Sequence, residues 1–141
     1  MKEYFSIGVK IIEFLHKRYG GSEVPPTLFL DDSPKKYNQL GEGGYHITIF
    51  IYSFQKRNLT LRRFVEAICH EYRHVYQNAN GYFAEEDWKG MKYDGDISKP
   101  GPEYLNAPWE KDARRYEKIY FKELVKAKII DPSKLNKRIK I

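Results

Sequence analysis

At 141 residues, with 41% hydrophobic and 31% charged residues, the chain has the length and balance of one globular domain and not of a disordered tail. No run is long and apolar enough to cross a bilayer, and a single cysteine, Cys69, excludes an internal disulfide and a four-cysteine structural zinc site, so a reducing, cytoplasmic setting is expected. The net charge of +6, with a pI near 9.2, is compatible with a nucleic-acid partner, but much of the excess falls in a basic tail from about 126 to 141 and reads first as a solvated surface.

From the N-terminus, residues 3 to 19 place Phe5, Val9, Ile12 and Leu15–His16 at helical spacing, and Gly20-Gly21 ends the helix. The charges interleaved there make it an amphipathic helix and not a signal peptide. Thr27 to Leu30 reads as a strand, Asp31-Asp32-Ser33-Pro34 as a turn, Tyr37 to Leu40 as a second strand and Gly41-Glu42-Gly43-Gly44 as a hairpin-type loop. Tyr45 to Tyr52 is the clearest strand, β-branched and aromatic, with Ile47, Ile49 and Ile51 alternating with His46, Thr48 and Phe50.

A long helix is expected from an N-cap at Thr60 to Asn80-Gly81. Leu61, Phe64, Val65, Ile68, Tyr72 and Val75 form its apolar stripe. Residues 82 to 107 have no regular period, and a loop of that length in a small domain is usually functional or mobile. A last helix begins near Pro108, carries Trp109, Ala113, Tyr116, Tyr120 and Leu124 on one side and ends by Asp131-Pro132. The expected fold is α+β, a single domain over 1–141. It has a sheet of about three strands, an N-terminal helix, a central helix and a C-terminal helix.

Chemistry concentrates on the central helix. His70, Glu71 and His74 form a His-Glu-x-x-His run, and two of the chain's four histidines fall within these five residues. Histidines four apart share a helix face, so both rings reach one metal ion, and the adjacent glutamate sits where it can take a proton from a bound water. At about 100° per residue the pair lies roughly opposite the apolar stripe, with Ala67 and Gln77 beside it. A catalytic zinc usually has three protein ligands. No histidine follows His74, so a carboxylate is the better third ligand. Glu110, in the first turn of the last helix, is the leading candidate, Glu117 two turns on is the reserve, and Glu103 in the loop is weaker. Asp112 projects to another side and reads as a solvated or capping charge. His16 and His46 read as ordinary surface residues, and Cys69 as a buried inert thiol.

This arrangement, His70-Glu71-x-x-His74 followed by a helix opening Pro108-Trp109-Glu110, resembles the gluzincin branch of the zinc metallopeptidases. It is most similar to the small zincin-like proteins of the ImmA/IrrE type and the minimal gluzincins, over roughly residues 45 to 120. The resemblance implies a zincin-like fold, Zn2+ held by His70, His74 and Glu110, and Glu71 as general base in hydrolysis of a peptide or protein substrate. It also implies that strand 45–52 is the edge on which an extended peptide adds as a further strand. Tyr93, Tyr104 and Tyr116 are the candidate oxyanion donors. Arg73 departs from the family, which prefers uncharged residues between the motif glutamate and the second histidine; helix geometry allows it the rim of the site. Two other readings stand beside this one: a catalytically idle metal- or protein-binding module on the same frame, and a DNA-associated regulatory protease delivered by the basic tail.

Overall fold

The computed structural model describes residues 1–34, 39–80 and 107–141. Helix α1 (Lys2–Tyr19) is followed by strands β1 (Leu28–Asp31), β2 (Gly41–Gly43) and β3 (Ile47–Phe50), then by helices α2 (Ile51–Lys56), α3 (Leu61–Ala79) and α4 (Pro108–Lys126) and a 3-10 turn at Pro132–Lys134. The result is an α+β arrangement with a small mixed sheet of order β1-β3-β2. β1 runs parallel to β3, pairing Leu28 with Ile47, and β2 runs antiparallel to it, pairing Gly41 with Ile49. No described helix is long and apolar enough to cross a membrane.

Helix α1 ends as the glycine pair predicts, with Gly20 at φ 68° and its N–H bonded to the His16 carbonyl. The buried face differs from the expected stripe. Gly8, Ile11, Ile12 and Leu15 are buried, whereas Phe5 is exposed. Ile11 is fully buried, which rotates the face towards the denser aliphatic side, and Gly8 lets α1 close onto Leu28 of β1.

Four expectations around the sheet need correction. The strand foreseen over 45–52 spans only Ile47–Phe50, because Ile51 begins α2 and still buries its side chain there. That strand is central and not the edge. Residues 41–43, foreseen as loop, are the edge strand β2. A Cβ on Gly43 would run into the backbone of Glu71, so only glycine lets β2 lie against α3 at that height. Of the foreseen strand 37–40, Gln39 and Leu40 are not strand, and Tyr37 lies outside the described residues.

Helix α3 keeps its foreseen limits. The Thr60 side chain accepts a bond from the Arg63 N–H, and Asn80 caps the other end. All six residues of its stripe are buried, with Phe64, Val65 and Ile68 at 0% exposure. They join α1, β1, β3 and the α4 residues Tyr120 and Leu124 in one apolar core. Helix α4 lies along α3 in the most extensive helix–helix contact among the described residues. The segment after α4 is not wholly a solvated tail. Leu135 and Ile139 are buried, the Ile139 N–H bonds the Leu59 carbonyl, and the Leu61 and Arg62 N–H groups bond the carbonyls of Lys137 and Leu135. The tail thus satisfies donors that the start of α3 leaves open.

Candidate metal centre

The face of α3 opposite the apolar stripe looks into a cavity of about 590 Å³. His70, Glu71 and His74 line it from α3, Glu110 and Glu117 from α4, and the edge strand β2 from the sheet. One donor atom from each of His70, Glu71 and His74 lies within 4.8 Å of the others. Glu110 belongs with them on its own distances, since its two carboxylate oxygens stand 3.1 Å from His70 Nε2 and 3.0 Å from His74 Nε2. The two Nε2 atoms are 3.2 Å apart.

The other ring nitrogens identify these as lone-pair atoms. His74 Nδ1 is 2.8 Å from the Gln77 Oε1 acceptor, and His70 Nδ1 is 3.3 Å from the Glu117 carboxylate. Each Nδ1 carries a proton to donate, so each neutral imidazole faces the cluster through a bare Nε2. Two bare nitrogens and a carboxylate at 3.0–3.2 Å repel one another unless positive charge lies among them. A tetrahedral zinc with bonds of about 2.0–2.1 Å sets its donors roughly 3.3 Å apart. The residues present therefore fit such an ion in donor type, number and spacing. Protonation of the imidazoles is the alternative source of positive charge. Burial opposes it at His70, but the hydrogen bonds to Glu110 and Glu117 and the charge of Glu71 outweigh burial and raise the pKa to about 10. His74 is raised in the same way, its burial outweighed by Glu110 and Glu71. Burial pulls the Glu110 carboxyl up, and the two histidines more than reverse this, holding it far below its ordinary range.

Glu71 is 6% exposed, and burial raises its pKa despite the opposing pull of His74 and His70. It makes none of the short contacts that join Glu110 to the rings, which suits a group that handles protons. Glu117, the reserve ligand, reaches the outer nitrogen of His70 and not the inner one. That is the placement of a group that orients the His70 ring and leaves its inner nitrogen to the cluster.

Two expectations are corrected here. Asp112 is neither solvated nor a cap: it accepts from Arg73 Nε at 2.7 Å and from Gln77 Nε2 at 2.9 Å. Residues 109, 112, 116 and 120 form a second row on α4 that also meets α3, beside the row of Glu110, Ala113 and Glu117. Arg73 is not at the rim. It is 8% exposed, paired with Asp112, bonded to the Tyr120 hydroxyl and flanked by the rings of Tyr116 and Tyr76 at 3.6 and 4.4 Å. Tyr116 is committed to that stack and is absent from the described cavity lining. Tyr93, Tyr104 and Glu103 lie outside the described residues, as does the stretch 82–106. His46 is exposed, its ring edge-on to Phe29. His16 stands on α1 with a buried Nδ1 that has no hydrogen-bond partner among the described residues. Cys69 is fully buried, and burial pushes its thiol well up.

Sequence reasoning placed Gln77 beside the histidines without giving it a role. A polar residue three positions after a helical histidine is the available signal, because i and i+3 side chains are neighbours. The Arg73–Asp112 pair spans 39 residues and leaves no comparable local pattern. No family model matches this sequence, and comparison with curated proteins and with solved structures gives no match either.

Proposed function

We propose that this chain is a zinc-dependent metallopeptidase of the zincin-like, gluzincin type, with His70, His74 and Glu110 as ligands and Glu71 as general base. The observation that carries the reading is the convergence of two imidazole Nε2 atoms and a carboxylate at 3.0–3.2 Å, with a buried glutamate beside them in an open cavity. When bound, zinc supplies Lewis acidity that polarises a carbonyl and lowers the pKa of a water molecule. Glu71 takes the proton of the attacking water on its carboxylate and returns it to the leaving amine. Burial raises its pKa above the ordinary carboxylate value, which favours its taking up a proton. Glu117 and Gln77 hold the rings through their outer nitrogens. The edge strand β2 borders the cavity, and it supports an extended peptide as the substrate, added to the sheet by backbone hydrogen bonds. A cytoplasmic protein substrate accords with the single buried cysteine.

A second reading has its own observation. The same cluster is internally satisfied with protons in place of a metal, since Glu110 accepts from both rings and ties α4 to α3. A catalytically idle binding module would keep the frame for that reason. The experiment that separates the two is Glu71→Gln, assayed on an unstructured protein with zinc content measured alongside. A peptidase loses hydrolysis and keeps zinc; a wild type that binds zinc and cleaves nothing in a broad peptide library is the idle module.

A further inference from the structure

The geometry points to Gln77, held in one orientation by Asp112 and Arg73, as the positioning residue that makes Nε2 the presented nitrogen of His74. A glutamine amide has one accepting end and one donating end. In Gln77 the donating end is fixed from outside the site: Nε2 lies 2.9 Å from the Trp109 carbonyl oxygen and 2.9 Å from the Asp112 carboxylate. Both are acceptors only. Reversing the amide would set its oxygen against both of them. Oε1 must therefore face His74 Nδ1, at 2.8 Å, and that nitrogen must carry the proton. The bare Nε2 is left for the cluster.

Asp112 can serve as a fixed acceptor because Arg73 claims the same carboxylate, Nε at 2.7 Å and Nη2 at 3.4 Å. Arg73 is itself immobilised between the Tyr116 and Tyr76 rings and against the Tyr120 hydroxyl. Gln77 is 0% exposed, so no water competes for either end of the amide. The chain Arg73–Asp112–Gln77–His74 thus crosses the α3–α4 interface and converts helix docking into the tautomer of one ring. It also accounts for a charged residue at position 73. Its consequence for metal affinity rests on the reading of His70, His74 and Glu110 as ligands, whereas the hydrogen bonding does not.

The test uses the full-length, 15N-histidine-labelled protein, metal-free and with zinc added. In wild type, NMR should find a slowly exchanging proton on His74 Nδ1 in both states. Gln77→Met keeps the volume but removes both ends of the amide. It should lose that protection and bind zinc about 10–100-fold more weakly, with unchanged circular dichroism. Gln77→Glu should fail to rescue, because its second oxygen meets two acceptors; rescue would mean that any acceptor suffices and that the Asp112 chain is idle. Should Gln77→Met not fold, Asp112→Asn carries the variant arm, with a smaller loss in the same direction. A wild-type His74 that carries a proton on Nε2 and none on Nδ1, in either state, overturns the proposal, as does Gln77→Met with wild-type affinity. A protected Nδ1 proton in a protein that takes up no zinc overturns the metal reading and leaves the ring orientation supported.

Discussion

Helix α3 has two faces of opposite chemistry. One buries Phe64, Val65 and Ile68 at 0% exposure against α1 and the sheet. The other carries His70, Glu71, His74 and Gln77, whose partners come largely from α4. The apolar face is held by area, and hydrocarbon contacts of this kind are indifferent to pH and tolerant of exact position. The polar face works by exact position. Every group on it loses water, and it is favourable only where each donor meets its acceptor. Docking of α1 and the sheet therefore makes the helix stable, and docking of α4 makes it a site. Changes on one face should leave the property of the other intact.

The largest expected effect lies on the polar face. Glu71→Gln is nearly isosteric and should leave folding and zinc content unchanged while hydrolysis of an unstructured protein falls by about 10²–10⁴-fold. Turnover assays beside elemental analysis check this. Wild-type activity in the variant would remove Glu71 from the mechanism.

Next come the two glutamates of α4. Glu110→Gln removes the charge that touches both inner nitrogens and should weaken zinc binding by far more than Glu117→Gln. An amide at 117 can still accept from His70 Nδ1, so its loss should be near the low end of the range for an orienting residue, about 10-fold. Competition with a chromophoric chelator ranks them. The reverse order would make Glu117 the third ligand.

On the opposite face, Ile68→Ala should cost about 2–5 kcal/mol of folding stability in urea titrations, the usual range for a buried aliphatic truncated to alanine. The folded fraction should bind zinc as wild type does. A parallel loss of affinity would show that the faces are coupled and that the division drawn between them is wrong.

How much of this was legible in the sequence follows the same division. The stripe from Leu61 to Val75, the cap at Thr60 and the start of α4 at Pro108 repeat local rules, and the structure has them where those rules put them. His70 and His74 share a face because of spacing alone. What was not legible depends on elements meeting. Gly41–Gly43 looks like a turn by composition and is a strand because its backbone must lie against Glu71. Ile51 continues the strand pattern yet opens a helix, since a fully buried position accepts an isoleucine in either conformation. Asp112 and Arg73 look like solvated charges until α4 lies along α3 and makes them partners.

The smallest effect expected is one of pH on the metal-free chain, and it sharpens the comparison because the histidines and glutamates that set it lie on one face. His70 and His74 have folded pKa values raised above the ordinary 6.5, His70 to about 10. A raised histidine contributes stability that is complete below the unfolded value and is lost as pH climbs through the folded one. Glu71, raised above 4.5 by burial, works in the same direction. Glu110 is lowered, so its contribution is complete above about 4.5 and disappears in acid. Metal-free protein should therefore be most stable near pH 5–6 and decline towards pH 10. Zinc must displace the protons it competes with, so the stabilisation it adds should grow with pH over the same interval. Thermal melts at pH 6 and pH 9, with and without zinc, read both slopes. In Ile68→Ala the curves should shift down without changing shape. Metal-free stability that rises from pH 6 to pH 9 would mean that the histidines are not held as cations by Glu110, and that the positive charge the cluster needs has another source.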